Sequence, residues 1–390
     1  MYNFDEIIDR KNTDCIKYDF AVERGLPEDV LPLWVADMDI RAPKEVNDAI
    51  IEAAKHGIYG YSETKDDYFE ILSNWFKNFH NWEIKKDWLV KTPGVVFAIA
   101  TAIRALTEEG DGILIQEPVY YPFSNMIEEN NRRLINNSLL YKDGRYNIDF
   151  EDFEKKIKEE NVKLFIFCNP HNPVGRVWER EIIERLGKIC LDNNVIVLSD
   201  EIHSDLVYEG YEHHVFANIN NEFRDNCIVF TAPSKTFNIA GLQVSNIFIP
   251  NEDIRNRFKS EMNRAGYSQL NTLGLVAAKA AYKYGHSWLK ELKKYLWANI
   301  EFVEDYLKEN IPEVKLVKPE GTYLIWLDFR DTGLNNDEIE DLIINKAKLW
   351  LDGGTMFGED GEKFQRINIA CPRKTVEEAL DKIKLALYEK

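Results

Sequence analysis

The sequence predicts an α/β protein, with a mostly parallel central sheet in a larger domain and a smaller α+β domain after it. Three observations lead there. Short apolar, β-branched runs alternate with longer amphipathic stretches through the middle of the chain, the pattern of strands joined by crossover helices. That alternation stops near residue 285, where one long helical stretch begins. A length of 390 residues is enough to bury a large core and divide into a major and a minor lobe.

Taken in order, the first 45 or so residues hold few periodic elements and are expected to pack against the minor lobe or a partner subunit. The strand candidates are DWLV (87–90), GILIQE (112–117), VKLFIFC (162–168), NVIVLS (194–199), NCIVFT (226–231) and NIFI (246–249). Between them, 95–106, 150–160 and 179–193 carry helical periodicity. Runs this uniformly apolar fit parallel strands covered on both faces. Beyond them come a helix from 286 to Pro312, a strand TYLIWLDF (322–329), a helix near 336–348 and a closing helix from about 375. The expected division is an N-terminal segment 1–45, a large α/β domain 46–285 and a small α+β domain 286–390.

Composition excludes several roles. A net charge of −18 argues against nucleic acid or an anionic membrane surface as partner. No apolar run nears the roughly 20 residues that span a bilayer, and the N-terminus carries no secretory pattern. The cysteines (Cys15, Cys168, Cys190, Cys227, Cys371) are odd in number, scattered and free of CxxC spacing, which predicts reduced thiols in a cytoplasmic protein.

In such a sheet, ligands sit at the carboxyl ends of the strands. After the strand at 87–90 comes Thr92-Pro93-Gly94 and then a helix, a turn that presents free N–H groups and a positive helix end to an anion. After 162–168 comes NPHNPVG (169–175), whose asparagines are held in extended or turn geometry by the prolines that follow. After 194–199 comes Asp200-Glu201-Ile202-His203. An acid placed there needs a cationic partner, and no second ligand cluster supports a metal. After 226–231 comes TAPSKTFNIAGLQ with Lys235. A phosphate cradle, an amide donor, a carboxylate and a lysine together answer the needs of pyridoxal 5′-phosphate: a Schiff-base lysine, an acid for the ring nitrogen and donors for the phosphate.

The chain resembles, over essentially its whole length, the fold-type I pyridoxal-phosphate enzymes, and within them the MalY/PatB branch of cystathionine β-lyases. The segments that carry the resemblance are LPLWVADMD (31–39), HGIYGYS (56–62), EPVYYPF (117–123), NPHNPVGRVW (169–178), SDEIHSDLV (199–207), SKTFNIAGLQ (234–243), TYLIWLD (322–328) and RINIACPR (366–373). SDEIH and SKTFN, with Asp200 and Lys235 spaced 35 residues apart, form a specific pair.

The resemblance implies that Lys235 is the Schiff-base lysine and base, that Asp200 pairs with the pyridinium nitrogen, and that Asn172 holds the ring phenolate oxygen. His203 stands where many relatives place a tyrosine on that oxygen. Gly94 and Val95 would bind phosphate through their amides and Ser234 through its hydroxyl. Tyr120 would stack on the ring beside the substrate, Arg366 would clamp an amino-acid α-carboxylate, and Tyr61 would reach the neighbouring subunit's phosphate in a homodimer with shared sites. The implied activity is α,β-elimination from cystathionine or a related cysteine S-conjugate. An amino-acid aminotransferase is the alternative, and a protein-binding regulator of a transcription activator is a second. Two positions depart from the family pattern: Gln243 stands where many aminotransferases have a phosphate-binding arginine, and Ala232 where a serine is frequent.

Overall fold

A computed structural model describes residues 2–267 and 269–388. Helices α1 (Lys44–His56) and α2 (Asp66–His80) precede the central sheet. The sheet has seven strands: β1 (Leu89–Thr92), β2 (Gly112–Ile115), β3 (Arg133–Asn136), β4 (Val162–Cys168), β5 (Ile196–Asp200), β6 (Cys227–Thr231) and β7 (Ser245–Phe248). Their spatial order is β1-β7-β6-β5-β4-β2-β3. The pairs from β3 through β6 are parallel, and β7 runs antiparallel to both β6 and β1. The sheet is thus mostly parallel, as the sequence predicts.

The connecting helices are α3 (Val95–Leu106), α4 (Pro122–Glu129), α5 (Phe150–Glu159), α6 (Arg180–Asp192) and a single turn, α7 (Pro233–Thr236). They are followed by α8 (Glu252–Arg264), α9 (Thr272–Tyr284), α10 (His286–Asn310), α11 (Asn336–Asp341) and α12 (Arg373–Tyr388). Burial on both faces explains the continuous apolar strands. In β6, Ile228 and Phe230 pack with α3 and α8, while Cys227 and Val229 enter the core on the other face. A second, antiparallel sheet is built from β8 (Lys315–Val317), β9 (Leu324–Asp328), β10 (Asp352–Gly353) and β11 (Phe364–Asn368), in the order β8-β9-β11-β10.

Several details differ from the sequence prediction. The strand expected at 87–90 begins two residues later, because Lys86–Trp88 form a 3₁₀ turn that tucks Trp88 into the core. Lys235, which the sequence assigns to no element, lies on the short helix α7. β3 escaped notice because it is an edge strand with one buried residue, Ile135, and so lacks an apolar run. All five cysteines are free and four are buried; Cys15 is partly exposed. No helix among the described residues is long and apolar enough to cross a membrane.

The N-terminal segment docks on the second sheet. Leu31–Pro32 pairs in parallel with Leu349–Trp350, and the Trp34 and Trp350 rings stack at 4.3 Å. Residues 34–40 are then clamped from several sides. Arg10 forks between Asp37 and Asp39 at 2.6 Å each, and Lys17, wholly buried, donates to Asp39 at 2.8 Å. Asn368 donates to the carbonyls of Val35 and Asp37, and Asn238 both donates to Met38 and Ile40 and accepts from the Met38 N–H. Lys17→Met removes one cation from this network and leaves Arg10 facing both acids. The unfolding free energy should drop, by less than the roughly 3–5 kcal/mol of a fully orphaned buried charge, read as a lower urea midpoint with an unchanged slope.

Candidate active site

The parallel strands β4, β5 and β6 end on one edge of the sheet, and β1 ends there too. The turns leaving these ends enclose a cavity of about 190 Å³. Gly94 and Val95 line it from the β1 end and Asn172 from the β4 end. Asp200, the last residue of β5, and His203 line it from the next turn, and Ser234 and Lys235 from α7. Tyr120, just before α4, completes the wall. Two of the sequence-predicted residues lie elsewhere. Arg366 sits behind the cavity on β11 and donates to Asn172 Oδ1 at 3.1 Å. Tyr61 is 97% exposed and touches no part of this cavity. A more open space of about 600 Å³, bordered by Arg10, Asp37, Asp39 and Asn238, shares Ala36 and Lys235 with the first. Lys235 therefore stands between an enclosed chamber and a vestibule.

The electrostatics follow from burial. Lys235 Nζ donates to the carbonyl of Ala36 at 2.8 Å, and Tyr323 Oη donates to the same oxygen at 2.8 Å. Burial and the nearby Arg366 charge pull the Lys235 amine down to about 8, against the opposing pull of Asp37 and Asp200. Burial and Glu201 push Asp200 up to about 7, opposed by its hydrogen bond from the Ile202 N–H at 3.1 Å and by Lys235. Burial, then the Lys235 and Arg366 charges, hold His203 down to about 3, so its ring is neutral. Its Nδ1 is buried without a partner among the described residues. Burial keeps the Tyr120 phenol well above its usual range.

Arg366 is itself fully engaged on one side. It is 3% exposed, ion-paired to Asp352, and donates to the carbonyl of Trp34 at 2.8 Å. Asp352 stands directly opposite Arg366 in the β10–β11 pairing, and burial raises its carboxyl against the arginine's effect. Arg366 Nε has no partner among the described residues.

The chamber fits a pyridine ring bearing a phosphate. Asp200 is a buried acid at a strand end with one hydrogen bond and no close ion pair among the described residues, which a protonated ring nitrogen would satisfy. Gly94 has extended backbone, α3 begins there without a side-chain cap, and open space lies where a Cβ would project. The first N–H groups of α3 are thus free to meet an anion. Lys235 is the one lysine or arginine among the described lining residues. Gln243 and Ala232 also line the chamber, both neutral. A phosphate held there would rely on dipoles and hydroxyls of this chain and not on an arginine.

Sequence reasoning missed four contributors. The Ala36 carbonyl is a backbone group, invisible to any side-chain pattern. Trp34 and Tyr323 lie inside WVADMD and TYLIW, stretches noted for their resemblance without a role for either residue. Asp352 lies on a two-residue strand, and its link to Arg366 exists only through the pairing of β10 with β11.

Comparison with known proteins places the chain in a family. Residues 28–383 match the family described as aminotransferase class I and II, and the chain belongs to that family. It is 44% identical over 385 residues to cystathionine beta-lyase PatB of Bacillus subtilis, covering 99% of this chain and all of that one. Protein MalY of Escherichia coli is 31% identical, with 97% of each chain covered. Among solved structures, cystalysin from Treponema denticola, which contains pyridoxal 5′-phosphate, superposes with a TM-score of 0.96 at 40% identity over 99% of each chain.

Asp200 offers a pH test. Its carboxyl moves from 3.8 to about 7 on folding, so the folded chain keeps a proton that the unfolded chain loses. Its contribution to stability therefore falls as pH rises from 4 to 7. In cofactor-free protein, the urea-unfolding free energy of Asp200→Asn relative to wild type should improve between pH 4 and pH 8, by up to roughly 4 kcal/mol.

Proposed function

We propose that this chain is a pyridoxal-phosphate-dependent carbon–sulfur β-lyase that eliminates a thiol from L-cystathionine or a related cysteine S-conjugate, with pyruvate and ammonia as the other products. The observation that carries the reading is the desolvated amine of Lys235, resting on one neutral carbonyl across the chamber from buried Asp200. The cystathionine β-lyase relative, matched along its entire length, supports the choice of elimination over transamination.

The cofactor, when bound, supplies an electron-accepting ring for the pair released at the substrate Cα. Asp200 would hold the ring nitrogen, Asn172 and His203 would face the ring oxygen, and Tyr120 would cover the ring. Gly94, Val95 and Ser234 would hold the phosphate. Lys235 is the base: an amine that gives up its proton near 8 rather than 10.5 is available to take the Cα proton where an exposed lysine is not. Arg366, already oriented by Asn172 and the Trp34 carbonyl, would take the α-carboxylate in a charge-assisted pair. The vestibule would admit the thioether arm.

The same reading includes a homodimer, in which exposed Tyr61 completes the partner's phosphate site. It also includes a cytoplasmic location and the division into segments 1–45, 46–285 and 286–390.

Lys235→Ala should abolish pyruvate release from cystathionine, while wild type should release pyruvate with no 2-oxo acid acceptor added. Turnover that depends strictly on such an acceptor would make the chain an aminotransferase. Shared sites have their own test. Mixed dimers of Lys235→Ala and Tyr61→Ala chains contain one fully intact site and should recover activity that neither parent has. Failure to recover it would place Tyr61 outside the site.

A further inference from the structure

A cleft of about 770 Å³, larger than the chamber around Lys235, lies between the end of α2, the 204–213 loop and the first half of α10. Its floor is a buried polar relay. Asp205 accepts from Trp75 Nε1 at 2.9 Å and from Thr236 Oγ1 at 2.7 Å, and it meets His80 Nε2 at 2.8 Å. His213 meets Glu201 at 2.8 Å through Nε2, and its buried Nδ1 has no partner among the described residues.

One wall is α10, which sets Lys290, Lys293 and Lys294 along the cleft. Glu291 takes Lys294 at 2.8 Å. Lys290 and Lys293 have no carboxylate within 4.0 Å among the described residues, in a chain of net charge −18 where many surface lysines are paired. Lys293 is half-buried, and desolvation lowers its pKa against the opposing pull of Asp205. The other walls are aromatic: Phe79 and Tyr211 are 43% and 40% exposed. The remaining acids of the lining, Glu209 and Glu212, are exposed at the rim.

Two lysine ammonium groups with no carboxylate within 4.0 Å, beside exposed rings, form a site with a defined preference. We propose that this cleft binds a small anion, a carboxylate or a phosphate ester, carried on a flat apolar group. The floor connects it to the chemistry. Asp205 grips Thr236, the residue after Lys235, and Glu201, the partner of His213, follows Asp200 in the chain. Occupancy of the cleft alters the electrostatic surroundings of both groups and so changes turnover.

The probes are phenyl phosphate, benzoate and neutral benzyl alcohol, titrated calorimetrically into holoenzyme so that the cofactor already fills the active-site phosphate position. At least one anion should bind once per chain and benzyl alcohol should not, and the double variant Lys290→Gln/Lys293→Gln should bind that anion at least tenfold more weakly. The preference between phenyl phosphate and benzoate then identifies the head group. The same anion at saturation should change kcat/KM of wild type and leave that of the double variant unchanged. Equal binding by both proteins, or no binding of either anion, overturns the site. Binding without any change in turnover overturns its coupling to Lys235.

Discussion

One backbone carbonyl, that of Ala36, accepts hydrogen bonds from both Lys235 and Tyr323, and most of the surrounding architecture serves to keep it in place. The residues on either side are gripped by the second sheet through Asn368 and Arg366, by the loop after α7 through Asn238, and by the N-terminal arm through Arg10 and Lys17. Three regions far apart in the chain thus converge on a segment with almost no regular structure of its own. A lysine amine with several mobile partners would wander among rotamers. A fixed, neutral acceptor orients it without adding the negative charge that would hold its proton on.

Charge in the chamber is arranged by what is left out as much as by what is present. Asp200 and Lys235 line the same chamber, and burial moves each toward its neutral form. A ring with a protonated nitrogen and an aldehyde would answer both groups on the proposed reading. Gln243 borders the chamber where the resemblance leads one to expect arginine, so on the proposed reading anion binding would rest on the uncapped start of α3 and on hydroxyls. Such a cradle orients a phosphate well while gaining less from its charge than a guanidinium would.

The sequence made the central sheet legible because burial on both faces leaves an unbroken apolar run, as in VKLFIFC and NCIVF. It made Asp200 legible because an acid directly after such a run needs a cationic partner, and Lys235 because it stands among small and hydroxyl residues in the turn after the next run. Tyr61 is different: nothing local separates it from the other tyrosines, and it entered only through resemblance. β3 was hidden by its polarity at the sheet edge, and the Ala36 carbonyl because every residue has one. Asp352 was hidden because its meaning is relational, an acid that matters only through the strand that pairs with it.

That relation between Asp352 and Arg366 carries a consequence for what may enter. The arginine already has an internal carboxylate on one side, that of Asp352, while its Nε is left without a partner among the described residues. On the proposed role of Arg366, an incoming α-carboxylate would meet a cation that Asp352 already compensates, and would have to compete with it. An amine, an amide or a neutral thioether would bring no charge to that competition. Selectivity for amino acids on this reading comes from a contest between two carboxylates, one tethered and one free, and the tethered one sets the threshold.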